Sequence, residues 1–281
     1  MNAPVLCALT LVCYLAAGAA IFAGTAAAPI PQSGGWRSKS GYPISRLLLA
    51  VGIVLHFCAI GAWCVTIHRS PFASPFGTWC TLAWAIALSI VAVDPHGRLV
   101  AIDAGLITAA SVVLLVSLTQ ARDPLIGAPI LDARLVTLHV MAILLSFALF
   151  AVAFVCAGLY LAEARMLKTR PPAAILQRVP PLETLDSVAF QAVAFALPLL
   201  TAGLALGIAR EYAGGLHGGQ VGWWRDAHTI ASIGVWLVYG AYIGARVLVG
   251  WRGRRLQYVL IAGMAVAVLL YLLPTHTHRF I

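Results

Sequence analysis

Apolar residues in this chain fall into eight long runs, at roughly 4–24, 45–67, 76–93, 99–119, 134–162, 187–209, 227–249 and 256–274, separated by short polar stretches. A helix needs about 20 apolar residues to cross a ~30 Å hydrocarbon layer, and most of these runs are near that length. In lipid a lone segment satisfies its backbone groups only as a helix. The pattern therefore predicts an all-α, polytopic integral membrane protein with about eight transmembrane helices. The longest polar connections, about 25–44 and 163–186, are too short to fold by themselves, so residues 1–281 read as a single membrane domain. The first run resembles the apolar core of a signal peptide, but no Lys or Arg precedes it and it runs long. It reads as a retained span.

Composition agrees with this reading. Hydrophobic residues make up 62% of the chain and charged residues only 10%, whereas a soluble domain carries about 25% charged residues. The net charge of +9 would suggest nucleic acid in a soluble protein. Here the basic residues lie in short loops and no nucleic-acid-binding motif accompanies them, so the charge is read as an orientation signal. Twelve Lys and Arg follow spans 1, 3, 5 and 7, against six after the even-numbered spans. The positive-inside rule then puts both termini on the outer, periplasmic side of a bacterial inner membrane. The six cysteines all lie within apolar runs and none forms a CxxC, so they read as small buried residues rather than disulfides, zinc ligands or a redox pair.

Histidine is the candidate chemistry. On this topology seven of the eight histidines are outside or within the membrane, and only His96 is inside. His56 lies eleven residues into the second run and His139 a few residues into the fifth. His228 opens the seventh, and His276 and His278 follow the eighth. Neutral imidazoles from two helices could hold one haem iron axially. Trp223 and Trp224, in the Gly-rich segment GGLHGGQVGWWRDAHT, could offer an aromatic platform, with Arg225 available to a propionate. Tryptophans also anchor helices at membrane interfaces, and a histidine can simply be a hydrogen-bonded core residue. Spacing alone does not choose between these readings. Asp103 is the one acidic residue clearly inside a span, with no partner evident from spacing, and Pro198 is expected to kink the sixth helix.

From about residue 133 onward the chain resembles the cytochrome c assembly family of polytopic haem-handling proteins (CcsA, CcmC and HemX), and within it the YpjD/HemX-like branch. The segments that carry the resemblance are LHVMAILLSFALFAVAFVCAGLYL (138–161), PPLETLDSVAF (180–190), FALPLLTAGLALG (195–207) and HTIASIGVWLVYGAYI (228–243) with GWRGRR (250–255). GGW at 34–36 and LHF at 55–57 extend it into the first half. The resemblance implies an outward-facing site for haem b. His139 matches the first outer ligand position and His276 or His278 the second, while a histidine near His228 is common in this branch. His56 matches the branch's intramembrane histidine, suited to a second haem or a relay position. The family's WxWDPKE segment is matched in part by GWWRDAHT, through Trp223 and Asp226.

The reading is a haem-binding or haem-handling protein that supports cytochrome c assembly or haem supply by coordination rather than turnover. Its partners are then the lipid bilayer, haem and other membrane proteins of cytochrome assembly or the haem pathway. A second reading is a cofactor-free accessory or regulatory subunit acting on a haem-biosynthetic enzyme or a transporter. A secondary transporter fits less well, because paired intramembrane charges and inverted repeats are not evident.

Overall fold

A computed structural model describes residues 2–27, 42–121, 133–169, 180–213 and 227–272. Within them lie eight α-helices: α1 (Ala3–Ala27), α2 (Tyr42–Ile67), α3 (Pro75–Val93), α4 (Val100–Thr119), α5 (Ala133–Thr169), α6 (Leu182–Ala213), α7 (Ala227–Val247) and α8 (Arg254–Leu272). A short 3₁₀ turn at Pro71–Ala73 leads into α3. There is no strand among the described residues. Seven helices, α1 to α7, contain a stretch long and apolar enough to span a membrane. α8 is 19 residues long, or roughly 28 Å at 1.5 Å per residue. The protein is thus a multi-pass membrane protein. Each apolar run became a helix, and α5 and α6 extend past their runs into the polar flanks.

Helix ends follow local chemistry. Ser74 caps α3, accepting from the Gly77 amide at 3.2 Å, and Pro75 follows at the first helical position. α2 ends on His68 in the left-handed region (φ 52°). In the turn DPHGR the Asp94 carboxylate accepts from the amides of Arg98 and Leu99, while Gly97 adopts a positive φ. α7 stops at Gly250 (φ 72°), and the Trp251 amide donates back to the Ala245 carbonyl at 3.0 Å. That bond reaches back six residues to close the helix end, and a glycine is favoured at 250 because the left-handed backbone leaves no comfortable place for a Cβ.

Helices adjacent in sequence pair in space: α1 with α2, α3 with α4, α5 with α6 and α7 with α8. α5 is central and also touches α3, α4 and α8. Its residues Ala148, Phe150, Val152, Ala153, Cys156 and Ala157 are all fully buried. Outward-facing Val12, Phe22, Val54, Phe57, Phe195 and Leu237 present the apolar surface that lipid requires. α6 continues as a helix through Pro198, which supplies no backbone donor at that position. Asp103, which spacing left without a partner, is buried on α4 and meets Arg46 of α2 at 3.5 Å. The two are 57 residues apart in sequence, so only the packing of α2 against the α3–α4 pair reveals the match.

Because α5 and α6 are antiparallel, the first turns of α5 meet the last turns of α6. At the opposite end Arg254, opening α8, donates to the Ala164 carbonyl near the end of α5. α8 therefore runs antiparallel to α5 and finishes, at Leu272, toward the half of α5 that carries His139. The beginning of α7 lies at that same end.

Candidate functional site

Two of the candidate histidines have described side chains, and their surroundings differ. His56 is fully buried between α1, α2 and α3. Its Nδ1 lies 3.1 Å from the Tyr14 hydroxyl and its Nε2 3.2 Å from the Cys80 Sγ. Cys80 in turn meets the Cys7 Sγ at 3.5 Å. Both ring nitrogens are engaged, by the Tyr14 hydroxyl and the Cys80 thiol, so in this arrangement His56 is a hydrogen-bonded core histidine. The cluster also revises the reading of the cysteines. All six are free thiols, but Cys7 and Cys80 form a hydrogen-bonded polar chain rather than inert apolar filling.

His139 sits near the start of α5 and is half-buried. Its Nδ1 lies 2.7 Å from the Gly203 carbonyl oxygen of α6. A carbonyl oxygen only accepts, so Nδ1 carries the hydrogen and the lone pair resides on Nε2. The close approach depends on Gly203 and Gly207, four residues apart on one face of α6. A Cβ on Gly207 would come within 2.7 Å of the His139 Cε1, and one on Gly203 within 2.8 Å of the Ile143 Cγ1. This is the small-xxx-small device by which membrane helices pack closely. Sequence reasoning singled out the segment containing these glycines but did not give them a role. A residue without a side chain announces no chemistry, and only the GLALG spacing could have marked them.

The remaining candidates converge only in part. His228 lies in the first turn of α7, at the same end of the bundle as His139, and its side chain is not described. His276 and His278 follow Leu272, where α8 ends at that end, but they fall outside the described residues, as do Trp223, Trp224 and Asp226. Among the described residues no three His, Cys, Asp or Glu side chains group as a metal site. One polarised imidazole, held at the end of the bundle where α7 begins and α8 finishes, is what the described residues contribute.

Packed helical pairs, a lipid-facing apolar surface and a buttressed histidine near one end define a polytopic helical membrane protein with a candidate ligand site between helices. A family model described as cytochrome C assembly protein matches residues 45–278. The chain belongs to the cytochrome c assembly protein family. It is 29% identical to a cytochrome c biogenesis protein CcsA of Synechococcus sp. (strain WH7803), an alignment covering 86% of this chain and 82% of that one. A CcsA of Guillardia theta is 30% identical over 54% of each chain, and one of Nostoc punctiforme is 37% identical over 34% of this chain and 26% of its own.

Proposed function

We propose that this protein handles haem b in support of cytochrome c biogenesis, in a bacterial cytoplasmic membrane, with His139 as an axial ligand at the outer end of the bundle. The observation that carries the reading is the bond from the His139 Nδ1–H to the Gly203 carbonyl. Ligating histidines characteristically donate the other ring hydrogen to a backbone carbonyl or carboxylate, which sets the tautomer and makes the ligating nitrogen more basic. The glycine notch holds the ring in place, so little orientation is lost on coordination. His228, His276 or His278 would provide the second imidazole. Trp223, Trp224 and Asp226 belong to the segment entering α7 and would flank the macrocycle. Haem held there would supply an iron porphyrin for onward use. The chain's own residues bind it, orient it and surround it with apolar side chains. The partial WxWDPKE match and the histidine at 228 support placement in the HemX-like branch.

The test is the visible spectrum of the full chain purified in mild detergent from haem-replete cells. The wild type should show a six-coordinate, low-spin Soret and α/β pattern. His139→Ala should lose it or turn high-spin, and added imidazole should partly restore it. A colourless wild-type preparation would favour the cofactor-free accessory reading instead. An unchanged low-spin spectrum in His139→Ala would remove this residue from the ligand set.

A further inference from the structure

From the middle of the bundle toward the end opposite His139, Glu163 Oε2, Tyr239 Oη and Gln257 Oε1 are buried without a hydrogen-bond partner among the described residues, and a fourth buried atom, Tyr242 Oη, has only Arg246 beside it. Tyr239, Tyr242 and Gln257 are fully buried, and Glu163 nearly so. Buried polar groups left unmatched are costly, and native structures carry few of them. These four are not scattered. Tyr239 and Tyr242 share one face of α7 with Arg246, at positions i, i+3 and i+7, a rise of roughly 10 Å. Arg246 pairs with Asp186 of α6 at 2.7 Å, and the other Asp186 oxygen accepts from Gln257 Nε2, also at 2.7 Å. Arg246 also hydrogen-bonds the Tyr242 hydroxyl, which lies within electrostatic reach of Asp186 and keeps its own hydrogen to donate. Tyr239 stacks flat on Phe150 at 3.7 Å. Gly263 of α8 gives its phenol room, since a Cβ there would stand 3.0 Å from Tyr239 Cζ. The hydroxyl-bearing carbon of Tyr239 is thereby held against α8, the helix that carries Gln257. Glu163 adjoins the Ala164 carbonyl that receives Arg254, at the basic end of the bundle.

We propose that α5 to α8 enclose a hydrated polar seam, entered at the basic end, that binds a short chain of water molecules from Glu163 past the Asp186–Arg246 pair to Tyr239. The ligand class follows from the unmatched atoms. Two phenols can donate, and a carboxylate oxygen and an amide oxygen can only accept. The charges of Arg246 and Asp186 already offset each other, so neither an anion nor a cation is called for. A molecule that both donates and accepts matches the set, and a buried water typically makes two to four such bonds. The seam accounts for Asp186 in PPLETLDSVAF and Arg246 in the seventh helix, which lie in or beside the segments that carry the family resemblance yet contribute nothing to the histidine end. It does not depend on haem being bound.

X-ray hydroxyl-radical footprinting of the full-length protein in detergent tests it, because radicals form from water beside the side chain they modify. Tyr14 is the control: it is as fully buried as Tyr239 and Tyr242, but its hydroxyl is matched by His56. Tyr239 and Tyr242 should be modified several-fold faster than Tyr14. Modification of both at the rate of Tyr14 would overturn the proposal. Tyr239→Phe and Tyr242→Phe add a second readout. Removing a hydroxyl bonded to water should lower the melting midpoint, whereas removing a dry, unmatched hydroxyl should raise it. A raised midpoint in Tyr239→Phe would also overturn the seam; Tyr242→Phe loses the Arg246 bond as well and is read against it.

Discussion

The α1–α4 half and the α5–α8 half of this bundle treat buried polar groups differently. In the first, most such groups find one another across helices. Tyr14, His56, Cys80 and Cys7 form one chain. Trp63 donates to Ser74 at 2.8 Å, Ser117 to the Phe76 carbonyl at 2.9 Å, and Arg46 faces Asp103. In the second half His139 has its tautomer set by Gly203, and Glu163 Oε2, Tyr239 Oη and Gln257 Oε1 have no hydrogen-bond partner among the described residues. Polar groups that satisfy one another rigidify a core, whereas buried groups such as the Tyr239 hydroxyl that no described side chain matches are able to hold a guest. The difference teaches that a histidine inside a membrane span is not a site by virtue of its depth. His56 is the deeper of the two and is fully committed to its neighbours.

Substitution should separate the halves, and the largest effect is expected in the first. His56→Ala removes an imidazole from a fully buried position and strands both Tyr14 and Cys80. The expected loss is about 3 kcal/mol of stability, from the void and the unmatched groups together. Thermal unfolding in detergent should show a clearly lowered midpoint, and an unchanged midpoint would mean that the network is not holding α1, α2 and α3 together. Any haem bound by protein that survives should remain low-spin, because the proposed ligand, His139, lies in the other half.

Gly207→Ala probes the second half and should act on binding rather than on the fold. The new Cβ would stand 2.7 Å from the His139 ring, so the ring must move off its Gly203 acceptor. Haem affinity should fall roughly tenfold, equivalent to about 1.4 kcal/mol, when measured by haem titration of the apoprotein. Wild-type affinity would show that the orientation of His139 is unimportant. Trp236→Phe should have the smallest effect. It deletes a 2.8 Å bond to Thr201 between α7 and α6 on the lipid-facing side. Interhelical bonds of this kind average about 0.6 kcal/mol in membranes. A double-mutant cycle with Thr201→Val isolates the coupling, and a value near zero would leave α7 attached by packing alone.

Much of this protein could be read from its residues in order. Lipid demands helices of a set minimum length, so eight apolar runs imply eight helices, and Gly250 and Ser74 mark helix ends through local backbone preference alone. His139 could be named because it stands in a segment that resembles a known family. What the linear chain could not supply is pairing at a distance. Whether His56 is a ligand or a core residue depends on Tyr14, 42 positions earlier, and Cys80, 24 positions later. Asp103 looks isolated until α2 brings Arg46 beside it, and Gly203 and Gly207 gain meaning only when α5 lies against them. The reason is physical. Helix formation in a membrane is decided by backbone hydrogen bonding within each segment, which local sequence reports. The state of a buried polar group is decided by whichever side chains packing delivers to it, and only the tertiary structure specifies those.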